Sequence, residues 1–176
     1  DYITINAIEK FKSNIIFQVK KGYGDAIILG VQNVKTKYFS IFNADGSFDP
    51  YELEPMYNKI QNNSLDLLLA SRYIKNASSE DDTIVTLIGN KIFSLIGRIF
   101  FKLPISDILY TYVMGDTQKV INLNLTQRDF TLCVELPIKA KRNGLNIADI
   151  AANEKSRIGG TKKVNALRDG FLILLH

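Results

Sequence analysis

The residues best suited to chemistry lie together at one tip. The apolar, aromatic-rich run Tyr38-Phe39-Ser40-Ile41-Phe42 ends in Asn43, Ala44, Asp45 and Gly46. β-Branched and aromatic side chains suit a buried strand. A carboxylate beside a glycine at the strand's carboxyl end offers one hard oxygen ligand where a phosphate-bound metal can approach closely. Open α/β sheets build ligand sites at that end. Read alone, the same residues also describe a strand closing in an Asp-Gly turn. A second concentration of charge lies toward the C-terminus. Lys139, Lys141, Arg142, Lys155, Arg157, Lys162, Lys163 and Arg168 stand there against Asp149, Glu154 and Asp169, in a chain of net charge +4. Such an end can meet phosphates, a membrane face or nucleic acid, or form a solvated surface. The lone histidine, His176, gives no basis for a histidine mechanism, and Cys133 reads as packing.

The surrounding pattern predicts the elements that must position the tip. Residues 14–19 read as a strand, 20–24 as a basic glycine loop, and 25–34 as a helix with Asp25 as its cap or first-turn acid. Residues 38–43 form the next strand, Asp49-Pro50 opens a helix, and 65–70 form a third strand. Strands alternating with helices predict an α/β fold with a mostly parallel sheet. Beyond an acidic loop at 78–82, residues 83–101 carry apolar side chains at helical spacing with Lys91 and Arg98 among them. They read as a core helix or as a basic amphipathic helix lying on a membrane. Residues 107–116 read as a loop with one or two short strands, 129–142 as a helix disturbed by Pro137, 145–150 as a last strand and 163–175 as a closing helix. No apolar run approaches the ~20 residues that span a bilayer. The opening residues do not read as a secretory leader. One cysteine leaves no internal disulfide and fits a reducing, cytoplasmic setting.

Five features stand in a telling order: Lys21-Gly22-Tyr23-Gly24-Asp25-Ala26, Asn43-Ala44-Asp45, Ala70-Ser71-Arg72-Tyr73, Asp107 with Gly115, and Arg157-Ile158-Gly159-Gly160-Thr161-Lys162-Lys163. From about Ile15 to the C-terminus the chain resembles family 2 glycosyltransferases of the GT-A fold, above all the dolichol- and polyprenyl-phosphate sugar transferases. The resemblance implies a Rossmann-like sheet flanked by helices. It implies a nucleotide-sugar donor whose diphosphate carries Mg2+ or Mn2+ on a DxD-type motif. Asp45 matches the motif's second acid, and Asn43 stands where the first is usual, which removes one negative charge but keeps a carbonyl ligand. Ser47 occupies a position often held by glutamine. Gly22, Gly24, Ser71, Arg72, Arg157, Lys162 and Lys163 are the implied substrate-binding residues. In Arg72 the planar guanidinium suits a phosphate, with a structural salt bridge as the other reading. Arg157, Lys162 and Lys163 would clamp the diphosphate leaving group or lie against anionic lipid.

A hydroxyl acceptor needs a carboxylate base, and Glu135, Asp107 and Asp116 are the candidates. A lipid phosphate needs none. Asp82 and Thr86 occupy positions where the lipid-phosphate branch places an arginine and a serine. An acid there disfavours a phosphate by Coulomb's law, so a soluble acceptor stays open.

These readings combine into one expectation. Residues 1–176 form one catalytic domain lacking its first βα units and inactive by itself. It transfers a sugar, with inversion and metal assistance, to a polyprenyl phosphate or a hydroxyl, in the cytoplasm at the inner face of a membrane. Cell-envelope glycan synthesis is the implied setting. The rivals are a sugar nucleotidyltransferase of similar fold and a degenerate transferase that only docks on membranes. Nucleic acid is not an expected partner, because no basic strand is interleaved with aromatics.

Overall fold

The side chains of four strands divide strictly between two cores, and that division defines the architecture. The computed structural model describes residues 2–159. Strands β1 (Tyr38–Ile41), β2 (Leu67–Ser71), β4 (Val113–Asp116) and β5 (Ile147–Ala151) form a sheet in the order β1-β4-β2-β5. Phe39, Ile41, Leu67, Leu69, Val113 and Ile147 enter one core, while Leu68, Ala70, Tyr112 and Met114 enter the other. This is the period-two alternation of a pleated strand. Helices α2 (Tyr23–Gln32), α5 (Thr117–Ile121) and α6 (Leu132–Arg142) contribute to the first core. Helix α3 (Leu53–Asn62) covers the second with Met56 and Ile60, both fully buried. Phe48 stacks on Tyr112 there, with ring centroids 4.5 Å apart.

The sheet is mixed in its neighbours. β2 and β5 pair in parallel, whereas β4 runs antiparallel to both β1 and β2. Three of the four strands therefore point the same way, with the reversed strand inserted between two of them. That insertion comes from the second half of the chain, so local strand–helix alternation could not announce it.

Other boundaries follow local chemistry. Asp49 caps a 3-10 turn, Pro50–Glu52, by accepting from Tyr51 N at 3.1 Å, and this turn leads into α3. Helix α4 (Ile84–Phe101) opens on a capping box in which Thr83 and Thr86 satisfy each other's backbone. Helix α6 continues through buried Pro137, forfeiting one internal hydrogen bond. A two-residue parallel ladder joins β3 (Ser78–Ser79) to β6 (Asn153–Glu154).

Two expectations change. Residues 14–19 form no strand: Ile15, Ile16, Phe17 and Val19 are exposed, after a short helix α1 (Tyr2–Glu9). A strand needs a neighbour for its ladder, and among the described residues this segment has none. α4 is not a buried core helix, since within it only Ser94 and Gly97 are buried. The expected closing helix at 163–175 lies outside the described residues.

The glycine loop packs against backbone. A Cβ on Gly24 would lie 2.4 Å from the Gln127 carbonyl oxygen, and one on Gly22, at φ +132°, would lie 2.1 Å from that of Arg128. Asp25 N donates to the same Arg128 oxygen at 3.0 Å, and the Asp25 carboxylate pairs with the Arg128 guanidinium. These glycines let the start of α2 close on the loop before α6. Gly24→Ala is expected to destabilise the protein by about 1–3 kcal/mol, read as a lower urea midpoint, whereas Gly30→Ala, with open space around it, should not.

Candidate active site

Strand direction gathers the site. β1, β2 and β5 end on the same side, where β4 begins, so the segments after them meet. Asn43 and Asp45 follow β1, Arg72 follows β2, and Arg157 follows β5 and β6.

The Asp45 turn is built by its own neighbours. Oδ1 accepts from Ser47 N at 3.0 Å and from Ser47 Oγ at 2.6 Å. Gly46 takes φ +87°, which only glycine adopts readily. Ile158 N donates to the Asp45 carbonyl at 2.8 Å, and Lys155 N to that of Ser47 at 2.9 Å. The segment after β6 is thereby laid across the turn. Arg157 then reaches two carboxylates, Asp45 Oδ2 at 3.6 Å and Asp81 Oδ2 at 3.1 Å. Burial pushes the Asp45 carboxyl up, but the Ser47 hydrogen bonds and the Arg157 charge outweigh it and hold the group below its ordinary value. Asp45 is therefore ionised at neutral pH. Asn43 is half-buried, and its carboxamide forms no hydrogen bond among the described residues.

Arg72 is occupied elsewhere. Its Nε and Nη2 grip Asp107 at 2.7 and 3.1 Å. Its Nη1 reaches Glu154 at 3.2 Å and Asp82 at 3.6 Å. The guanidinium lies 4.6 Å from the Tyr110 ring centroid. Burial works against its charge, yet Asp107 and Glu154 more than offset this and raise its pKa. All three guanidinium nitrogens of Arg72 thus have carboxylate partners. Asp107, at 0% exposure, is Arg72's counterion. Ser71 Oγ bonds to Ser106 Oγ at 2.7 Å, inside the same network.

The other two base candidates are also engaged. Asp116 ends β4 opposite Tyr38, at the far end of the sheet, and caps α5 through Lys119 N at 3.0 Å. Glu135 accepts from Thr126 N, Thr126 Oγ1 and Gln127 N at 2.8–3.0 Å and pairs with Lys139 at 2.8 Å. Burial pushes its carboxyl up, but these donors prevail and hold it below the ordinary glutamate value. It organises the loop before α6. Cys133 is buried, its thiol pushed up by desolvation, in keeping with packing. Lys162 and Lys163 lie outside the described residues.

Sequence reasoning missed Asp81, Glu154 and the true partners of Asp82. The acidic run at 80–82 was the available signal, since a buried arginine requires carboxylates.

Removing Arg72 would strand three buried acids. Arg72→Ala is expected to cost about 3–5 kcal/mol, and Arg72→Lys less, measured by urea unfolding. Because the Glu135 pKa is depressed on folding, its stabilisation is complete above the unfolded value and lost as pH falls through the folded one. The stability gap between the protein and Glu135→Gln should therefore be widest near neutral pH and close in acid.

Comparison with known proteins supplies the context. Uncharacterized glycosyltransferases of Mycobacterium bovis and Mycobacterium tuberculosis are each 23% identical over 172 residues, covering 98% of this chain and 77% of theirs. Among solved structures, glucosyl-3-phosphoglycerate synthase from M. tuberculosis, in complex with Mn2+, UDP and phosphoglyceric acid, superposes with a TM-score of 0.71 at 11% identity. That match covers 99% of this chain and 61% of the synthase, so the chain spans under two thirds of it. The same synthase with Mn2+ and UDP-glucose gives 0.70 at 15% identity. The fold is therefore of the GT-A type. The glycosyl transferase family 2 profile matches residues 3–122, and the chain belongs to that family.

Proposed function

We propose that the corner formed by Asn43, Asp45 and Arg157 receives the diphosphate of a nucleotide-sugar and its divalent metal. The observation that carries this is Arg157. Its Nε is buried without a hydrogen-bond partner among the described residues, while its other nitrogens lean on Asp45 and Asp81. An arginine with an unused donor beside an ionised carboxylate suits an anion that arrives with a cation. The donor set fits Mg2+ or Mn2+ of that kind. Among the described residues no cluster of three ligating side chains exists, and such metals commonly take one or two protein carboxylates plus phosphates and water. Asp45 Oδ2 would hold the metal, with the Asn43 carbonyl as second ligand. When bound, the metal neutralises charge on the departing diphosphate. Mn2+ with UDP or UDP-glucose in the M. tuberculosis synthase supports the same reading.

The chain's own part is electrostatic and positional. Ser47 orients Asp45, and Arg157 exchanges a carboxylate partner for phosphate oxygens as the glycosidic bond breaks. Lys162 and Lys163 belong to the same anion-binding stretch. Gly22 and Gly24 act by letting α2 approach, and Ser71 and Arg72 by holding the wall behind the site. Glu135, Asp107 and Asp116 are each engaged by other donors, and this supports an acceptor that arrives ionised, a polyprenyl phosphate, over a hydroxyl. Asp82 does not oppose this, since Arg72 and the Tyr73 hydroxyl, at 2.5 Å, engage its charge. Transfer proceeds with inversion, residues 1–176 form part of one catalytic domain, and the work takes place in the cytoplasm at the inner face of a membrane.

Calorimetric titration tests this. The full-length protein with Mn2+ should bind a UDP-, GDP- or CDP-sugar saturably. Asp45→Ala and Arg157→Ala should each weaken that binding by about tenfold or more, as expected for a lost charge-assisted contact, with circular dichroism showing the fold retained. Absence of saturable binding to all of these donors would overturn the proposal.

A further inference from the structure

The outward face of α4 has no partner within the described residues. Ile84, Val85, Ile88, Ile92, Leu95 and Ile99 fall on one arc of the helix, opposite buried Ser94 and Gly97, and are 45–77% exposed. A helix of a soluble domain usually turns polar residues outward, and a contiguous apolar patch of this kind marks an interaction surface. Exposed Lys91, Arg98 and Lys102 lie along one flank of the arc, and the helix contains no acidic residue. Arg142 of α6 joins them at the C-terminal end, its guanidinium 5.5 Å from the Phe101 ring centroid.

Contrary to the expectation from sequence, α4 is long and apolar enough to cross a bilayer by length and composition. Its inner arc instead ties it lengthwise to the domain. Ile108 N donates to Ser94 Oγ at 3.1 Å, a Cβ on Gly97 would lie 3.1 Å from methyls of Leu103 and Ile108, and Phe93 and Phe101 pack on the core. A second copy is a poor cover, because two-fold pairing would bring like cation rows together without acids to meet them.

We propose that this face of α4 docks in the plane of an anionic lipid surface. The aliphatic arc enters the acyl boundary while Lys91, Arg98, Lys102 and Arg142 meet headgroup phosphates. The inference deepens the membrane contact of the proposed function, on which it rests for the acceptor's location alone. The N-terminus of α4 follows directly from Asp81 and Asp82, which pair with Arg157 and Arg72. Docking would set the site's edge beside the headgroups, where a lipid-linked acceptor presents its phosphate.

Vesicle flotation without nucleotide or metal tests this apart from the donor reading. The full chain should float with phosphatidylcholine–phosphatidylglycerol vesicles and remain behind with phosphatidylcholine alone. Ile88→Ser with Ile92→Ser, and separately Lys91→Glu with Arg98→Glu, should each raise the lipid needed for half-binding by about tenfold or more. Both pairs are exposed, so circular dichroism should show the fold retained, and the charge pair serves if the apolar pair unfolds. Three results would overturn the proposal: no flotation with anionic vesicles, flotation unchanged in the folded variants, or a dimer of the parent chain that the same substitutions dissolve.

Discussion

Arg72 is the point at which four separate stretches of chain are held together. It follows β2, grips Asp107 ahead of β4, and reaches Asp82 before α4 and Glu154 in β6. Its side chain is 8% exposed, and those of Asp107 and Glu154 are 0% and 9%. One buried cation among three acids is unstable alone, because each unpaired charge carries a large desolvation cost. Further donors complete the arrangement: the Tyr73 hydroxyl binds Asp82, and Ser79 Oγ binds Glu154 at 2.5 Å. The mixed sheet depends on this knot, since it anchors the loop that delivers the antiparallel β4.

The knot also sets up the chemistry. By fixing β6 and the Glu80–Asp82 turn beside each other, it directs the residues after Glu154 back across the Asp45 turn. Arg157 then stands between Asp45 and Asp81 rather than in solvent. Two arginines of similar sequence prominence therefore do different work. Arg72 has carboxylate partners on all its guanidinium nitrogens, whereas Arg157 keeps one nitrogen without a partner among the described residues and is the one proposed to meet an anion.

The sequence exposed the Asp45 turn, the helix after Gly24, the Pro50 helix start, the acidic loop and the long apolar helix, because each rests on local rules of turns, caps and periodicity. The meeting of Asp45 with Arg157 was legible through motif order. What could not be read were pairings across the chain: the insertion of β4, the engagement of Arg72 by Asp107, Asp82 and Glu154, and the diversion of Glu135 and Asp116 to loop and helix capping. A carboxylate's availability depends on donors that arrive from distant segments, and residue type alone does not reveal it. The run at 14–19 failed for a related reason, since strand propensity supplies no neighbouring strand.

The metal-bearing diphosphate is proposed to sit at Asp45 and Arg157. Paramagnetic broadening of backbone amide NMR signals by Mn2+ tests it most directly. In the full-length protein with UDP present, Mn2+ should broaden the amides of Asn43 to Ser47 and of Arg157 first, and far less without UDP. Broadening centred on Asp116 or Glu135, or a pattern indifferent to UDP, would exclude this placement of the diphosphate.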